Sequence, residues 1–442
     1  MGALVIATVL SGCSAQETST GINSEKERTV DNISDTQEAV DKHANGTEAE
    51  EHAAHEIDSN RVQMGQTAKE SEEAYSGPTV SLVMVGDILF HTPVAESGVQ
   101  EDGSYNYDAL FANVKDEIFA ADLALVNQEV IIGGEALGIS GYPSFNAPYE
   151  LGDALVTAGF DVVLHATNHT LDQGRKGVKN CLSFWKQNYP EIAVLGINES
   201  RQAQENEIYV YEQDGIRIAI LNYTYGTNGI ELPADMPYAV NLLEEEKVTA
   251  DITKAKERSD FVIVCPHWGT EYQLTPSVEQ ERWTQIFLEN GVDLVMGTHP
   301  HVIQPIVWIS TEKTEASVDI SVDAGQNSKC GDGMLVYYSL GNFVNWTASS
   351  GEGIANRMVG GMAEITIGMD EAGDAFIVDY GVEPLVCHLK DGTNGVTTYL
   401  LSEYTEEMAD RNAIEGQDAA FSGEYCEALC EEVWGEQVIA NQ

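Results

Sequence analysis

The sequence predicts an α/β domain in which a β-sheet is covered by helices. Short apolar segments alternate with amphipathic ones between residues 79 and 369, as expected when strands and helices alternate. Polar motifs directly follow the apolar segments, at the carboxyl ends of the predicted strands, where functional groups gather in open α/β sheets. Apolar residues make up 43% of the 442 residues, which is enough for one large core or two small ones.

The predicted elements follow one another regularly. The segment Gln213-Asp214-Gly215 lies between two alternating runs and predicts a β-hairpin, and Gly291 predicts the end of a helix. The predicted strands, some with the loops after them, are 78–91, 123–130, 160–169, 192–198, 207–226, 260–272, 292–309, 334–344 and 362–369. The predicted helices are 149–159, 174–188, 244–259 and 278–291, and residues 311–333 are predicted to form a loop or an insertion.

The N-terminal residues predict an export signal. Residues 1–13 (MGALVIATVLSGC) form an apolar run that ends in small residues, which is the layout of a signal peptide and its cleavage site. The segment LSGC also resembles a bacterial lipobox, so we expect Cys13 to be the lipidated residue of an extracytoplasmic lipoprotein, although no Lys or Arg precedes the run. No later segment offers about 20 apolar residues in a row, so we expect membrane attachment through the lipid alone.

Composition divides the rest of the chain into three parts. Residues 14–78 are rich in Glu, Ser, Thr, Asn and Gln and cannot bury enough apolar surface to offset the entropy of ordering, which predicts a disordered acidic linker. The main domain is expected at 79–400 and an acidic helical tail at 401–442.

The chain is strongly acidic, with 72 acidic against 22 basic side chains and a formal net charge of −50. A field of this sign repels nucleic acids and attracts divalent cations, so no nucleic-acid partner is expected. Beyond Cys13, six cysteines are scattered at spacings that form no disulfide framework, and we predict unpaired thiols.

Five polar motifs at predicted strand ends contain five of the chain's ten histidines. A single histidine after a strand is more often structural than a ligand, but five such motifs together indicate one site. In an extended chain, the His-x-His pattern can direct both imidazoles at one ion. The motifs are GDILFH with Asp87 and His91, NQE with Asn127 and Glu129, TNH with Asn168 and His169, PHWG with His267, and GTHPH with His299 and His301.

The residue types in these motifs suit a metal-dependent hydrolase. Mixed carboxylate, amide and imidazole ligands favour Mn, Fe or Zn over calcium. Two such ions about 3.5–4 Å apart, joined by a bridging ligand, polarise a phosphoryl oxygen and lower the pKa of a bound water.

The residues of these motifs and their order along the chain resemble those of the CapA family. This family is named for capsule and poly-γ-glutamate synthesis and lies within the calcineurin-like metallophosphoesterase superfamily. The resemblance implies a four-layer α/β sandwich, in which two mixed β-sheets are flanked by helices, and a divalent-metal site of two ions. It covers residues 79–345, in the segments VGDILFH, NQE, FNAP, AGFDVVLHATNHTLDQG, HWGTEY, GVDLVMGTHPHVIQP and YSLGNFV.

The resemblance also implies a role for each residue. His169 would act as general acid or orient the substrate, and Asp172 would orient an imidazole. Asn127 and Asn342 would contact the substrate. The implied metal ligands are Asp87, His91 and His301 at the first ion, Asn168, His267 and His299 at the second, and Glu129 between them.

Two positions depart from the superfamily pattern and leave alternatives open. His91 follows Asp87 by four residues instead of two, and Glu129 stands where the superfamily has an aspartate, so a single-ion or inactive site is the alternative to a dinuclear one. The Asn168-His169 pair could also be structural, with Asp172 capping the following helix.

Three functions are consistent with these observations. The first is a surface lipoprotein in the synthesis, export or anchoring of an anionic polymer, acting on phosphate, amide or polymer ends within a membrane polymer-synthase complex. The second is an extracytoplasmic metallophosphoesterase. The third is a scaffold in which metal braces the strand ends without catalysis.

Overall fold

The computed structural model describes residues 75–310, 333–390 and 395–435. Cys13, nearly all of the predicted linker and nearly all of the predicted loop at 311–333 lie outside these residues. No helix in the described part of the chain combines the length and the apolar character that crossing a membrane requires.

Fourteen β-strands and nine α-helices are assigned within the described residues. The strands are β1 (Thr79–Ile88), β2 (Leu123–Asn127), β3 (Val162–Leu164), β4 (Ala193–Leu195), β5 (Tyr209–Gln213), β6 (Ile216–Thr224), β7 (Phe261–His267), β8 (Leu294–Met296), β9 (Ile306–Ser310), β10 (Gly333–Tyr337), β11 (Asn342–Val344), β12 (Val359–Met369), β13 (Ala375–Leu389) and β14 (Val396–Leu400). The helices are α1 (Thr92–Ser97), α2 (Lys115–Ala120), α3 (Tyr149–Ala158), α4 (Gly174–Asn188), α5 (Arg201–Asn206), α6 (Glu245–Lys256), α7 (Val278–Glu289), α8 (Glu406–Ala409) and α9 (Gly423–Trp434).

The strands form two sheets that contain both parallel and antiparallel pairs. The first has the order β14-β13-β12-β1-β2-β3-β4, with β11 paired to β1, and the second has the order β5-β6-β7-β8-β10-β9. β1 runs parallel to β2 and antiparallel to β12, while β6 runs parallel to β7 and antiparallel to β5. Two mixed sheets flanked by helices are the predicted architecture, which is confirmed.

The second sheet lies between two apolar layers, as the alternation of side chains along β6 illustrates. Ile218 and Ile220 belong to the large core that also contains the first sheet. Ala219 and Leu221, which point to the other face, belong to a second cluster that includes Ile252 of α6. Because neighbouring side chains on a strand point to opposite faces, one strand joins both layers.

Helix α7 begins with a capping interaction that also fixes the loop carrying two of the predicted ligands. The Ser277 hydroxyl accepts the Gln280 N–H, and Gln280 Oε1 accepts the Ser277 N–H. Gln280 is buried, and its Nε2 donates to Oε1 of Gln304 at 2.7 Å. Gln304 in turn donates to the carbonyls of Gln273 and Thr275, so the segment after His301 is held against the segment after β7.

The segment from residue 370 to residue 435 adds more structure than the sequence analysis predicts. No element is predicted between 370 and 400, yet β13 is a 15-residue strand paired along β12. The residues after β14 form α8 and α9 with short 3-10 turns between them. The Trp434 ring packs on Gly361 of β12, and its Nε1 donates to the Gln304 carbonyl at 3.0 Å. The C-terminal helix is therefore packed on the first sheet.

The cysteines within the described residues are free thiols, as predicted for them. All five are buried, and burial raises the pKa of each thiol. They are Cys181, Cys265, Cys387, Cys426 and Cys430.

Candidate metal centre

The predicted motifs converge at one edge of the two sheets, at the carboxyl ends of β1, β2, β3, β7 and β8. Strand register explains part of this convergence, because Asp87 on β1 is the direct neighbour of both Asn127 on β2 and Asn342 on β11. From the second sheet, His267 ends β7 and pairs through its backbone with Thr298. Each of these side chains is at most 2% exposed.

The Asp87 carboxylate organises one side of the site. Its Oδ1 accepts a hydrogen bond from Asn127 Nδ2 at 2.7 Å. Its Oδ2 accepts the backbone N–H of His299 and lies 3.1 Å from Nδ1 of His301. One carboxylate thus connects β1 with β2 and with the GTHPH loop.

The GTHPH loop is not extended, which corrects the prediction made from its His-x-His pattern. His299 has φ +100° and His301 has φ +58°, values that non-glycine residues rarely adopt. A tight left-handed turn, instead of alternation along a strand, brings the two imidazole centroids to 5.6 Å. Backbone strain of this kind persists only where surrounding contacts hold it, and it clusters at functional sites.

Glu129 occupies the middle of the site. Its side chain is fully buried, and neither carboxylate oxygen has a hydrogen-bond partner among the described residues. Oε1 lies 3.8 Å from His267 Nε2, 3.6 Å from His301 Nε2 and 4.0 Å from His169 Nε2. Burial raises the pKa of Glu129 well above its ordinary value; the charge of His301 opposes this rise and Asp87 adds to it.

Two sets of side chains have ligand atoms close enough to hold a cation, and Glu129 belongs to both. Within each set, the ligand atoms all lie within 4.8 Å of one another. The first set is Asp87, Glu129 and His267, and the second is Glu129, His299 and His301. A shared carboxylate is the arrangement expected of a bridging ligand, although the resemblance implies a different division of the histidines between the two ions.

Unpartnered polar atoms show that this pocket fits a divalent cation. Besides the two oxygens of Glu129, Oδ1 of Asn127 and Nδ1 of His299 are buried without a partner among the described residues. Buried polar atoms without partners are costly and rare. Carboxylate, amide and imidazole donors aimed into one pocket are the ligand types of Mn, Fe and Zn.

The histidines of the site differ in protonation. Burial lowers the pKa values of His267 and His299 well below 6.5, with neighbouring histidines adding to the effect, so both are neutral, the form that binds metals. Burial also opposes a charge on His301, but Glu129 and Asp87 outweigh it and raise the pKa of His301 to about 10, so without a metal His301 carries a proton that a bound cation would have to displace.

His169 lies beside the two sets and is held in one orientation. Its Nδ1 is 2.8 Å from Oδ2 of Asp172, which also accepts the N–H of Phe145 at 2.7 Å. The Phe145 ring packs edge-on against the imidazole, with centroids 4.7 Å apart. With Nδ1 facing Asp172, Nε2 faces Glu129. Asp172 thus contacts an imidazole, as the resemblance implies.

The other predicted site residues surround this centre. Asn168 Oδ1 lies 3.0 Å from Nε2 of His267, so Asn168 is adjacent to the ligand groups. His91 belongs to neither group, and its ring packs against Phe145 and Trp346. Its role as a ligand stays a prediction.

The two asparagines expected to contact substrate are buried behind the ligands. Asn127 donates to Asp87, and Asn342 Oδ1 lies 3.1 Å from Nδ1 of His301 while its Nδ2 donates to the His301 carbonyl. In the structure both amides lie within hydrogen-bond distance of side chains of the candidate ligand sets, a role that the sequence analysis does not predict.

Four residues that the sequence analysis does not single out also line the site. Thr298 Oγ1 lies 3.0 Å from Nδ1 of His267. The ring centroid of Tyr225 is 4.6 Å from that of His299, and the Tyr272 centroid is 6.1 Å from that of His301. Arg357 stacks on Tyr272, with its guanidinium carbon 3.5 Å from the ring centroid. Thr298 lies inside the GTHPH motif and Tyr272 inside the HWGTEY motif, so the sequence could have indicated both as site residues. Nothing in the local sequence indicates that Arg357 belongs to the site.

Comparison with known proteins agrees with this arrangement of motifs. The family model described as "Bacterial capsule synthesis protein PGA_cap" matches residues 81–347, which contain the whole candidate metal centre except Arg357. The chain belongs to this family of bacterial capsule synthesis proteins.

Two curated relatives carry related names. The chain is 28% identical over 280 residues to the capsule biosynthesis protein CapA of Bacillus anthracis, which is 61% of this chain and 61% of that protein. It is 27% identical over 303 residues to the PGA biosynthesis protein CapA of Bacillus subtilis strain 168, covering 64% of this chain and 68% of the relative. The first match therefore spans less than two thirds of the relative's length.

Similar solved structures include two nucleotidases. A putative 5'-nucleotidase from Staphylococcus aureus overlaps with 69% of this chain and 54% of its own, at a TM-score of 0.40 and 16% identity. The NAD nucleotidase of Haemophilus influenzae overlaps with 70% of this chain and 58% of its own, at a TM-score of 0.38 and 14% identity.

Proposed function

We propose that this protein is a divalent-metal-dependent hydrolase of bacterial surface-polymer synthesis, acting on phosphate, amide or polymer ends of poly-γ-glutamate or a capsule. The observation that carries the proposal is Glu129. A fully buried carboxylate without a hydrogen-bond partner in the described chain is costly, and it lies where two ligand groups meet.

The ligand groups and His169 would divide the work between them. Bound divalent ions supply Lewis acidity and a water of lowered pKa. Asp87, Glu129, His267, His299 and His301 would hold the ions. His169 keeps Nδ1 on Asp172 and presents Nε2 to the pocket, so Nε2 is the atom that would deliver a proton to a leaving group.

Charge imposes a condition on polymer binding. A chain with a net charge of −50 repels an anionic polymer, so we expect polymer contact to depend on bound cations. Binding of poly-γ-glutamate should therefore disappear in excess chelator, and equal binding with and without chelator would contradict the proposal.

Two parts of the proposal rest on the sequence pattern and on the family. They are attachment at the cell surface through lipidated Cys13 and association with a membrane polymer-synthase complex. Cys13→Ala should move the protein from the membrane fraction to the soluble fraction. A variant that stays in the membrane fraction would contradict lipid anchoring.

A second candidate is an extracytoplasmic metallophosphoesterase that hydrolyses a small phosphoester. The His169–Asp172 pair favours it, since a fixed imidazole can protonate an alkoxide leaving group. The experiment that separates the candidates compares turnover of poly-γ-glutamate and of a dialkyl phosphodiester, whose leaving group is an alkoxide, by Mn-loaded protein. His169→Ala should abolish turnover while Mn content is kept. Stoichiometric Mn binding with no turnover of either substrate would favour the metal-braced scaffold.

A further inference from the structure

Arg357 is a cation without an ion-pair partner in a strongly acidic protein. Five of the seven described arginines lie within 4.0 Å of a carboxylate: Arg175, Arg201, Arg217, Arg282 and Arg411. No carboxylate of the described residues lies that close to Arg357, whose guanidinium makes one long hydrogen bond, to Thr347 Oγ1 at 3.5 Å. Its charge is therefore available to a ligand.

Two separate contacts place Arg357 beside the metal centre. Its backbone carbonyl accepts Asn342 Nδ2 at 2.9 Å, and Oδ1 of the same amide lies 3.1 Å from Nδ1 of His301. Its guanidinium lies over the Tyr272 ring, whose centroid is 6.1 Å from that of His301. The Arg357 charge therefore lies beside the candidate metal centre.

Tyr272 is built to hold the guanidinium. Its φ is +65°, a strained value for a tyrosine, and its N–H donates to the carbonyl of Pro300 at 2.7 Å, between the two histidines of the GTHPH loop. The side chain is 44% exposed, so one ring contacts both the arginine and the opening of the site. Stacking on an aromatic face restricts a guanidinium while leaving its N–H groups free to bind.

Glu271 is the neighbouring group that limits what can bind here. It is exposed, it directly precedes Tyr272 in the chain, and it adds to the high pKa of Tyr272. An anion would be repelled by Glu271 unless it met Arg357 directly. Recognition should therefore require a carboxylate or phosphate at one defined position.

We propose that Arg357, stacked on Tyr272, binds an anionic group of the substrate next to the group that reacts at the metal centre. The shared chemistry is an oxyanion with two oxygens, which the guanidinium fork binds in a bidentate manner. In a γ-linked glutamate chain it would be the free α-carboxylate next to the amide, and in a phosphoester substrate it would be a second phosphate. This inference rests on the proposed function, because it assumes a metal-bound reacting group.

The test measures probe binding to the Mn-loaded full chain by isothermal titration calorimetry. The probes are a γ-linked glutamate trimer with free α-carboxylates, the same trimer with amidated α-carboxylates, orthophosphate and pyrophosphate. The variants are Arg357→Gln and Arg357→Lys. The matched control is Arg258→Gln. Arg258 is the other described arginine without a carboxylate partner, and it precedes the amino-terminal end of β7, at the opposite edge of the sheet.

We expect Arg357→Gln to weaken binding of the free trimer, of pyrophosphate or of both by about tenfold or more, with binding of the amidated trimer and of orthophosphate unchanged. Arg357→Lys should recover part of the loss, because it restores the charge without the planar fork. A loss confined to the trimer identifies a carboxylate, and a loss confined to pyrophosphate identifies a second phosphate. Arg258→Gln should match the wild type.

Equal affinities of the wild type and Arg357→Gln for every probe would overturn the inference while leaving Mn binding, and with it the metal centre, intact. Failure of the Mn-loaded wild type to bind any probe would overturn it as well. Failure of the wild type to bind Mn is a distinct result, seen in the preceding metal titration, and it would reject the proposed function itself. If Arg357→Gln does not fold, Arg357→Lys decides: it should bind the free trimer, pyrophosphate or both more weakly than the wild type, and equal affinity for every probe would overturn the inference, because lysine lacks the planar fork.

Discussion

Asp87 and His301 are in contact at the candidate metal centre: Oδ2 of Asp87 lies 3.1 Å from Nδ1 of His301, although 214 residues separate them. The same oxygen accepts the backbone N–H of His299, so it holds the left-handed GTHPH turn against the end of β1. Both sets of candidate ligands therefore depend on the Asp87 carboxylate, which links the two sheets.

Replacing that carboxylate should remove the metal. Asp87→Asn keeps the size of the side chain, removes its negative charge and replaces one acceptor oxygen with an amide N–H₂ donor. We expect the Mn content of purified protein, measured by plasma mass spectrometry, to fall by at least about tenfold. Asp116→Asn, at an exposed position of α2, is the matched control and should retain Mn. Full Mn content in Asp87→Asn would show that the ion binds elsewhere.

Glu129 should make the protein's stability depend on metal. A ligand that binds only the folded state at 100 times its Kd stabilises it by about 2.7 kcal/mol, so Mn should raise the melting temperature of the wild type. Glu129→Gln should lose most of this shift, because a neutral amide cannot replace the carboxylate that belongs to both ligand sets. Differential scanning calorimetry measures both effects.

The exposed Glu135→Gln serves as the control for that experiment and should keep the wild-type response. The same Mn-induced shift in Glu129→Gln as in the wild type would exclude Glu129 as a ligand.

Asp172 should affect turnover more than metal binding. In Asp172→Asn the amide oxygen can still accept the Phe145 N–H, so the fold is kept, but the charge that orients His169 is lost. With a dialkyl phosphodiester, whose alkoxide leaving group needs a proton, and Mn, we expect kcat to fall by about 10- to 100-fold at unchanged Mn content. The control is Asp153→Asn. The Asp153 carboxylate accepts the Tyr189 hydroxyl away from the site, so this variant should keep the wild-type kcat. A parallel loss of Mn in Asp172→Asn would contradict this division of roles.

Asp293 should make the free energy of unfolding depend on pH, independently of metal binding. Burial raises the pKa of Asp293 to about 6, although its carboxylate accepts the Val262 N–H. A carboxyl whose folded pKa lies above the unfolded value near 3.8 contributes stability at low pH and loses it as pH rises through about 6.

Asp293→Asn should therefore gain stability relative to the wild type between about pH 4 and pH 6, and the difference should level off above that at about 3 kcal/mol. Urea unfolding of both proteins across this range measures the difference. A difference that is flat with pH, or that falls as pH rises, would refute the assignment.

The sequence by itself determined the α/β alternation, four of the nine helices assigned in the described residues, and the side chains of the two candidate ligand sets. Amphipathic periodicity is a local property, so α3 and α4 were predicted within one residue of their observed ends. Asp87 and Glu129 lie at strand ends of the first sheet, and His267, His299 and His301 lie at strand ends of the second. Because strand ends of one sheet share an edge, convergence within each of these two groups was predictable as well.

Only the tertiary structure decided how those side chains divide their tasks. Asn127 and Asn342 proved to be buried supports for Asp87 and His301, because register between strands distant in sequence sets which amide faces which ligand. The left-handed turn of the GTHPH loop and the place of Arg357 on Tyr272 likewise depend on contacts between segments far apart in the chain. Local sequence patterns carry information about neighbours along the chain, whereas hydrogen bonds such as that between Asp87 and His299 are decided by packing of the two sheets.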